Sequence, residues 1–214
     1  MVRTEIQEQI FEMISNHNDI VFIAYALLDD TEELIKFALL EILKKINKEE
    51  LFTPLFSCLK ELISNAIKAN AKKILIDEGI IENPDNAIDV VQKIKKILNE
   101  EVILSYGIKT KERGLSSRIY LKWRKDFFVI EVVNNLPLSE KELGRIHKRI
   151  EQASKYDSIA DVYLEYPDPL AEGMGLGLSM VIILLKNIDI DYHNFTLTTD
   201  GREKTYAKIK IPII

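Results

Sequence analysis

The apolar spacing of this chain changes at Ser116, and the change limits the folds open to it. Upstream, apolar residues recur every three or four positions, the period of an amphipathic helix. Ile6, Ile10, Phe11 and Ile14 fit a short helix over 3–16. Leu34, Ile35, Ala38, Leu39, Ile42, Leu43 and Ile46 fit a longer one, with Asp30 as its cap and Glu33 at the capping-box position. Thr53-Pro54 opens a third helix, a capping hydroxyl followed by proline at the first helical position, which runs to about Ala71. Downstream the period is two. Ser116–Arg124 alternates with Ile119, Leu121 and Trp123 on one side, Lys125-Asp126 turns, and Phe127–Val133 returns as the partner strand.

The remaining segments follow the same logic. Ile20–Leu28 has the β-branched and aromatic content of a buried strand but fits a buried helix as well. Asn83-Pro84-Asp85 is a turn before a helix over about 86–98, and Lys109–Gly114 reads as a polar loop. Ser139 and Glu142 form a capping box for a helix to about Ser154, and Tyr166-Pro167-Asp168-Pro169 is a loop. A strongly apolar helix runs from the glycines at 173–177 to about Lys186. Phe195–Thr199 and Thr205–Ile213 then flank Asp200-Gly201 as a hairpin. Helices, a strand pair, helices and a hairpin predict an α+β fold: a two-layer α/β sandwich, its sheet mixed but mostly antiparallel, with helices on one face.

Composition excludes several classes. Hydrophobic residues are 47% and charged residues 29%, which suits a globular domain rather than a disordered chain. The net charge is −5 with no basic tract, so nothing electrostatic points to nucleic acid. A single cysteine, Cys58, rules out an internal disulfide and a thiolate-rich zinc site. The longest apolar run, Ile20–Leu28, is half of what a membrane span needs, and Met-Val-Arg-Thr-Glu is no signal peptide. A cytoplasmic protein without a membrane partner is the expectation.

Two segments could carry chemistry. On the third helix, at about 100° per residue, Glu61, Asn65 and Lys68 share a polar stripe, while Leu55, Leu62, Ile63 and Ala66 lie opposite. A solvated helix face is the plain alternative for such a stripe. The second segment is Gly173-Met174-Gly175-Leu176-Gly177, which holds three of the eight glycines of the chain. Glycines let a backbone approach a ligand, and the helix that follows turns its free N–H groups toward an anion; a tight turn explains the same residues. The spacing matches neither a P-loop nor a dinucleotide fingerprint, whose third glycine would fall at Leu178.

Together these segments resemble a known signature. Glu61-Leu-Ile-Ser-Asn65-Ala-Ile-Lys68-Ala resembles the N box of the GHKL (Bergerat-fold) ATPases, the superfamily of gyrase-type ATPases, heat-shock chaperones, histidine kinases and mismatch-repair proteins. Gly173-Met-Gly-Leu-Gly-Leu-Ser-Met-Val resembles the second glycine box of the histidine-kinase branch, and Thr205 resembles the threonine of its closing strand. The resemblance covers about 50–214. It implies a histidine-kinase-like ATP-binding domain over 51–214 with an insert at about 74–115. Residues 1–50 would form a helical segment, either integral to the domain or used for partner or dimer contacts. It also implies that Asn65 holds Mg²⁺ on the phosphates of ATP and that Glu61 sits beside the metal, at the position that activates the attacking water in hydrolysing members. Lys68 would approach the phosphates, and Gly173, Gly175, Leu176 and Gly177 would let a lid close over them. Thr205 would lie by the adenine pocket.

One box departs from the family pattern. Where the family reads Asp-x-Gly-x-Gly, this chain reads Asn134-Asn135-Leu136-Pro137-Leu138. Asn134 would take the place of the aspartate that accepts from the adenine amino group, without its charge. The basic side chains Lys141, Arg145, Lys148, Arg149 and Lys155 would suit a lid helix facing a triphosphate or, for most of them, a solvated face. His17, the one upstream histidine, stands only 48 residues before Asn65 and reads as a loop residue rather than a phosphoacceptor. His147 and His193 have no partners at metal or triad spacing, and Cys58 reads as core.

The leading expectation is therefore a Mg-ATP-binding, histidine-kinase-like ATPase or kinase in signal transduction. It would lack its own phosphoacceptor domain and act on or through a protein partner, as anti-sigma-factor serine kinases do; a homodimer stays open. The alternative is a catalytically inactive interaction module of the same fold, with altered or lost nucleotide binding. A gyrase-type clamp ranks third, because no transducer domain follows the closing strand.

Overall fold

The structure is a computed structural model that describes residues 2–26, 29–81, 100–166 and 176–213. The turn at Asn83-Pro84-Asp85, the helix expected over 86–98, the loop at Pro167-Asp168-Pro169, and Gly173 and Gly175 lie outside the described residues. In chain order the elements are α1 (Val2–Ser15), β1 (Ile20–Ala24), α2 (Asp29–Lys45), α3 (Phe52–Asp77), α4 (Glu100–Glu112), β2 (Ser117–Trp123), β3 (Phe127–Asn134), α5 (Glu140–Ser154), α6 (Ile159–Glu165), α7 (Gly177–Asn187), β4 (Phe195–Thr199) and β5 (Thr205–Pro212). The fold is α+β, a sheet layer packed on a helix layer.

The five strands form one sheet in the order β1-β2-β3-β5-β4, and every ladder is antiparallel rather than mixed. β3 and β4 run in the same direction, but β5 lies between them, so no parallel pair arises. Alternation decides the faces. Ile119 and Leu121 of β2, Phe128, Ile130 and Val132 of β3, and Ile209 and Ile211 of β5 are buried in the core shared with the helices. The other face carries Val21 and Ile23 of β1, which are 45% and 51% exposed. It also carries Glu131, held between Lys122 and Lys208. Burial alone would raise the Glu131 carboxyl, but the two lysines outweigh it and hold the carboxyl below its ordinary value.

The ambiguous segment at Ile20 is a strand, β1, pairing with β2 from Ile20↔Leu121 to Ala24↔Ser117. Ile10, Ile14, Ile35, Leu39 and Ile42 belong to the same core cluster as the sheet, so the first fifty residues contribute to one core.

Local signals failed at several element boundaries. Helix α2 starts at Asp29, which puts Asp30 inside the first turn rather than at the cap. Helix α3 takes in Thr53 and Pro54, because a 3-10 turn at Glu49–Leu51 runs straight into it; its cap residue Leu51 makes no side-chain bond. It also continues past Ala71 to Asp77, since Ile74 and Leu75 are buried. Lys109–Glu112, expected as loop, is the last turn of α4. Its charges pair with the end of α3: Lys109 lies 2.9 Å from Glu78, and Arg113, just beyond, lies 3.8 Å from Asp77. Helix α6 was not expected, although Ser158 caps it by accepting from the Ala160 N–H.

Other signals held. The Ser139–Glu142 capping box is formed in both directions at the start of α5. Asp200 closes the β4–β5 turn by accepting from the N–H groups of Arg202, Glu203 and Lys204.

Candidate nucleotide site

Helix α3 lies under β2 and β3 with Leu55, Cys58, Leu59, Leu62, Ile63 and Ala66 buried. That burial fixes its rotation and leaves Glu61, Asn65 and Lys68 half-buried on the opposite side. The Asn65 Nδ2 donates to Glu61 Oε1 at 2.9 Å, which leaves the Asn65 carbonyl oxygen for another partner. Lys68 has no hydrogen-bond or ion-pair partner among the described residues.

The N-terminus of α7 closes on the same spot. A Cβ placed on Gly177 would stand 1.7 Å from Glu61 Oε1 and 2.3 Å from Glu61 Cδ, so only glycine fits beside the carboxylate as it stands. Leu176, the cap residue of α7, contributes no side-chain bond there. The first N–H groups of α7 therefore point toward a region where Glu61 supplies the negative charge that a helix N-terminus favours.

At the end of β3 sits Asn134, 5% exposed and in register with Ser117 of β2 and Thr205 of β5. Its Nδ2 donates to the Ala66 carbonyl at 3.4 Å, which ties β3 to α3. Its Oδ1 is buried with no hydrogen-bond partner. Such an orphaned acceptor is costly to bury. The Thr205 hydroxyl donates to Leu136 O at 2.7 Å, so it fastens the turn after β3 to the start of β5. Asn135 is structural too, with Oδ1 accepting from the Ser116 N–H and Nδ2 donating to Gly114 O, both at 2.6 Å.

Sequence reading missed Asn70 here. Asn70 is fully buried and reaches Ser117 Oγ at 3.5 Å, and its own Oδ1 has no partner. Asn70 stands nine residues after Glu61, about 180° round the helix, so an amide on the apolar side of α3 was the available signal.

The rest of the expected constellation is dispersed. Arg149 on α5 is 9% exposed and donates to Tyr166 O at 2.9 Å, which joins α5 to the end of α6. Cys58 is fully buried, and burial pushes its thiol up to about 12. His17 lies between α1 and β1, His147 bonds the Leu197 carbonyl at 3.2 Å, and His193 pairs with Asp191. Among the described residues, no group of three or more His, Cys, Asp or Glu side chains is placed to hold a metal, and no helix is long and apolar enough to cross a membrane.

No family model matches the chain, and no solved structure matches it. It is similar to an uncharacterized protein of Treponema pallidum (strain Nichols), with 26% identity over 207 residues, covering 96% of this chain and 40% of that protein. The chain thus spans about two fifths of the length of the curated relative it matches.

Proposed function

We propose that the chain binds Mg-ATP between α3, α7 and the Asn134 end of the sheet, as a histidine-kinase-like ATPase or kinase domain. The observation that carries this reading is the meeting of Glu61 and Asn65 with the helix start at Gly177, three residues supplied by segments more than a hundred positions apart. Asn65 would offer its carbonyl oxygen to the metal, and Lys68 a free ammonium to the phosphates. The N–H groups after Leu176 and Gly177, with Gly173 and Gly175 upstream, would supply donors to the phosphate oxygens. The orphaned Oδ1 of Asn134 would accept from the adenine amino group, with Thr205 beside it fixing the turn at Leu136.

Bound Mg²⁺ supplies charge neutralisation on the phosphates, which is most of what phosphoryl transfer asks of a site. The chain's own contribution is Glu61, a carboxylate held by Asn65 where it can orient and deprotonate an attacking hydroxyl or water. Phosphoryl transfer would then be to a protein partner in a cytoplasmic signalling system.

The test is calorimetric titration of the full chain with ATP, with and without Mg²⁺, beside Asn65→Ala. Saturable binding that needs Mg²⁺ and is lost in Asn65→Ala, with an unchanged melting profile, supports the reading. Unchanged affinity in that variant refutes it. A second reading is an interaction module of the same fold that has lost the nucleotide. The Thr205 hydroxyl, already spent on Leu136, and Leu138, packed against the core, favour it. No binding up to millimolar ATP would select it.

A further inference from the structure

We infer that a second site, at the opposite end of the sheet, binds a small anion carrying a flat apolar part. A cavity of about 570 Å³ opens there between the ends of α1 and α2 and the β2–β3 turn. That volume lies within the usual range for small-molecule pockets. Its lining includes His17, Lys45, Asn47, Trp123, Arg124 and Lys125, and it contains no aspartate or glutamate. In a chain of net charge −5, two lysines without a carboxylate partner among the described residues, Lys45 and Lys125, border this cavity beside the Asp19-paired Arg124, an arrangement that favours anions.

The charges are placed by the fold. Helices α1 and α2 are each followed, two residues past their ends, by a residue with positive φ, His17 at 56° and Asn47 at 55°, and these two residues border the cavity. Lys45 reaches across from α2 and donates to the last carbonyls of α1, Ile14 O at 2.6 Å and Ser15 O at 2.9 Å. Its Nζ lies 3.5 Å from His17 Nδ1 and 5.5 Å from the centre of the Trp123 ring. No carboxylate neutralises it among the described residues. Lys125, exposed on the turn, has no partner among them either. Arg124 is engaged with both oxygens of Asp19, at 3.1 Å each, which holds the turn against the start of β1. The flat element is Trp123, whose ring meets His17 edge-on at 4.8 Å and whose buried Nε1 has no acceptor. A phosphate or carboxylate answers the ammonium of Lys125 and the charge of Lys45, whose donors are already engaged, and an attached ring answers the indole.

This site is separate from the nucleotide reading. Strand β3 puts its eight residues, about 24 Å, between Asn134 and the β2–β3 turn. The two sites therefore fail or succeed independently.

Trp123 is the one tryptophan in the chain, so its fluorescence reports on this cavity. The full chain is titrated with phenyl phosphate and with benzoate at constant ionic strength, with sodium chloride as control. The expected result is a saturable change with one of the two probes. Its apparent Kd rises at least fivefold in Lys125→Gln, a surface variant that breaks no bond, and stays unchanged in Asn65→Ala. Phenyl phosphate alone would assign the anion as phosphate, benzoate alone as carboxylate. A linear response equal to that of chloride overturns the inference, as does an unaltered Kd in Lys125→Gln. A response to a poly-aspartate peptide but to neither probe overturns it in favour of an acidic protein segment.

Discussion

Asn134→Asp restores the acid that the resembling family carries, and the structure sets its cost before any nucleotide is added. The amide donates to Ala66 O through Nδ2, and its Oδ1 meets no donor. An aspartate loses the donated bond, about 0.5–1.5 kcal/mol. It also places a carboxylate at a position only 5% exposed, facing a carbonyl oxygen. Burial raises the pKa of such an acid, and each unit is worth about 1.4 kcal/mol. A rise of about one to two units brings the total to about 2–4 kcal/mol at pH 7. The sign with pH is fixed. The folded variant holds its proton more tightly than the unfolded chain does, so the deficit shrinks as pH falls from 7 toward about 4. Urea melts of both proteins at pH 7 and pH 5 measure this. Equal stability at pH 7, or a deficit that grows at pH 5, would refute the account of a buried, donor-poor Oδ1. With Mg-ATP present, the proposed adenine contact further predicts a larger ligand-induced melting shift in the aspartate variant than in the parent.

Three other outcomes follow from particular contacts. Cys58, fully buried with its thiol pushed up to about 12, holds about one part in ten thousand as thiolate at pH 8; a disulfide reagent should label it only as fast as the chain opens, and rapid labelling of the native protein would contradict this. Three backbone N–H groups hold the Asp200 carboxyl down to about 2, so its stabilisation is complete above the ordinary carboxylate pKa and is lost as pH falls through about 2. Asp200→Ala should lower Tm at pH 7, with the gap to the parent closing between about pH 4 and pH 2. Ser139→Ala removes the hydroxyl that accepts from the Glu142 N–H and should cost about 1 kcal/mol in urea melts; adding Glu142→Ala should cost less than it does alone, because the two side chains act as one cap.

What could be read from sequence was what neighbours along the chain decide. The β2–β3 hairpin, the α5 capping box and the Asp200 turn depend on residues within a few positions of one another, and each formed as expected. Helix α4 was misread because the partners of Lys109 and Arg113 are Asp77 and Glu78 on α3, more than thirty positions upstream. The same holds at the sites. The stripe of Glu61, Asn65 and Lys68 was legible from helical spacing, but its approach to Gly177 rests on the packing of α3 against α7. The cavity at Trp123 had no local sign at all, since its lining comes from residues near 17, 46, 124 and 213.

The contact between Glu61 and Gly177 also restricts the order in which these positions can change over evolutionary time. A β-carbon at 177 would fall far inside van der Waals contact with the Glu61 carboxylate, so no other residue can enter there while the glutamate keeps this rotamer. Position 61 must shorten or swing away first, and swinging away gives up the bond to Asn65. The two positions are thus coupled: loss of the glutamate opens 177 to drift, and once a larger residue has settled at 177 a glutamate can return at 61 only in another rotamer, without the bond to Asn65. In descendants of such a chain, a bulky residue at 177 would mark a lineage in which the bond between positions 61 and 65 had already been given up.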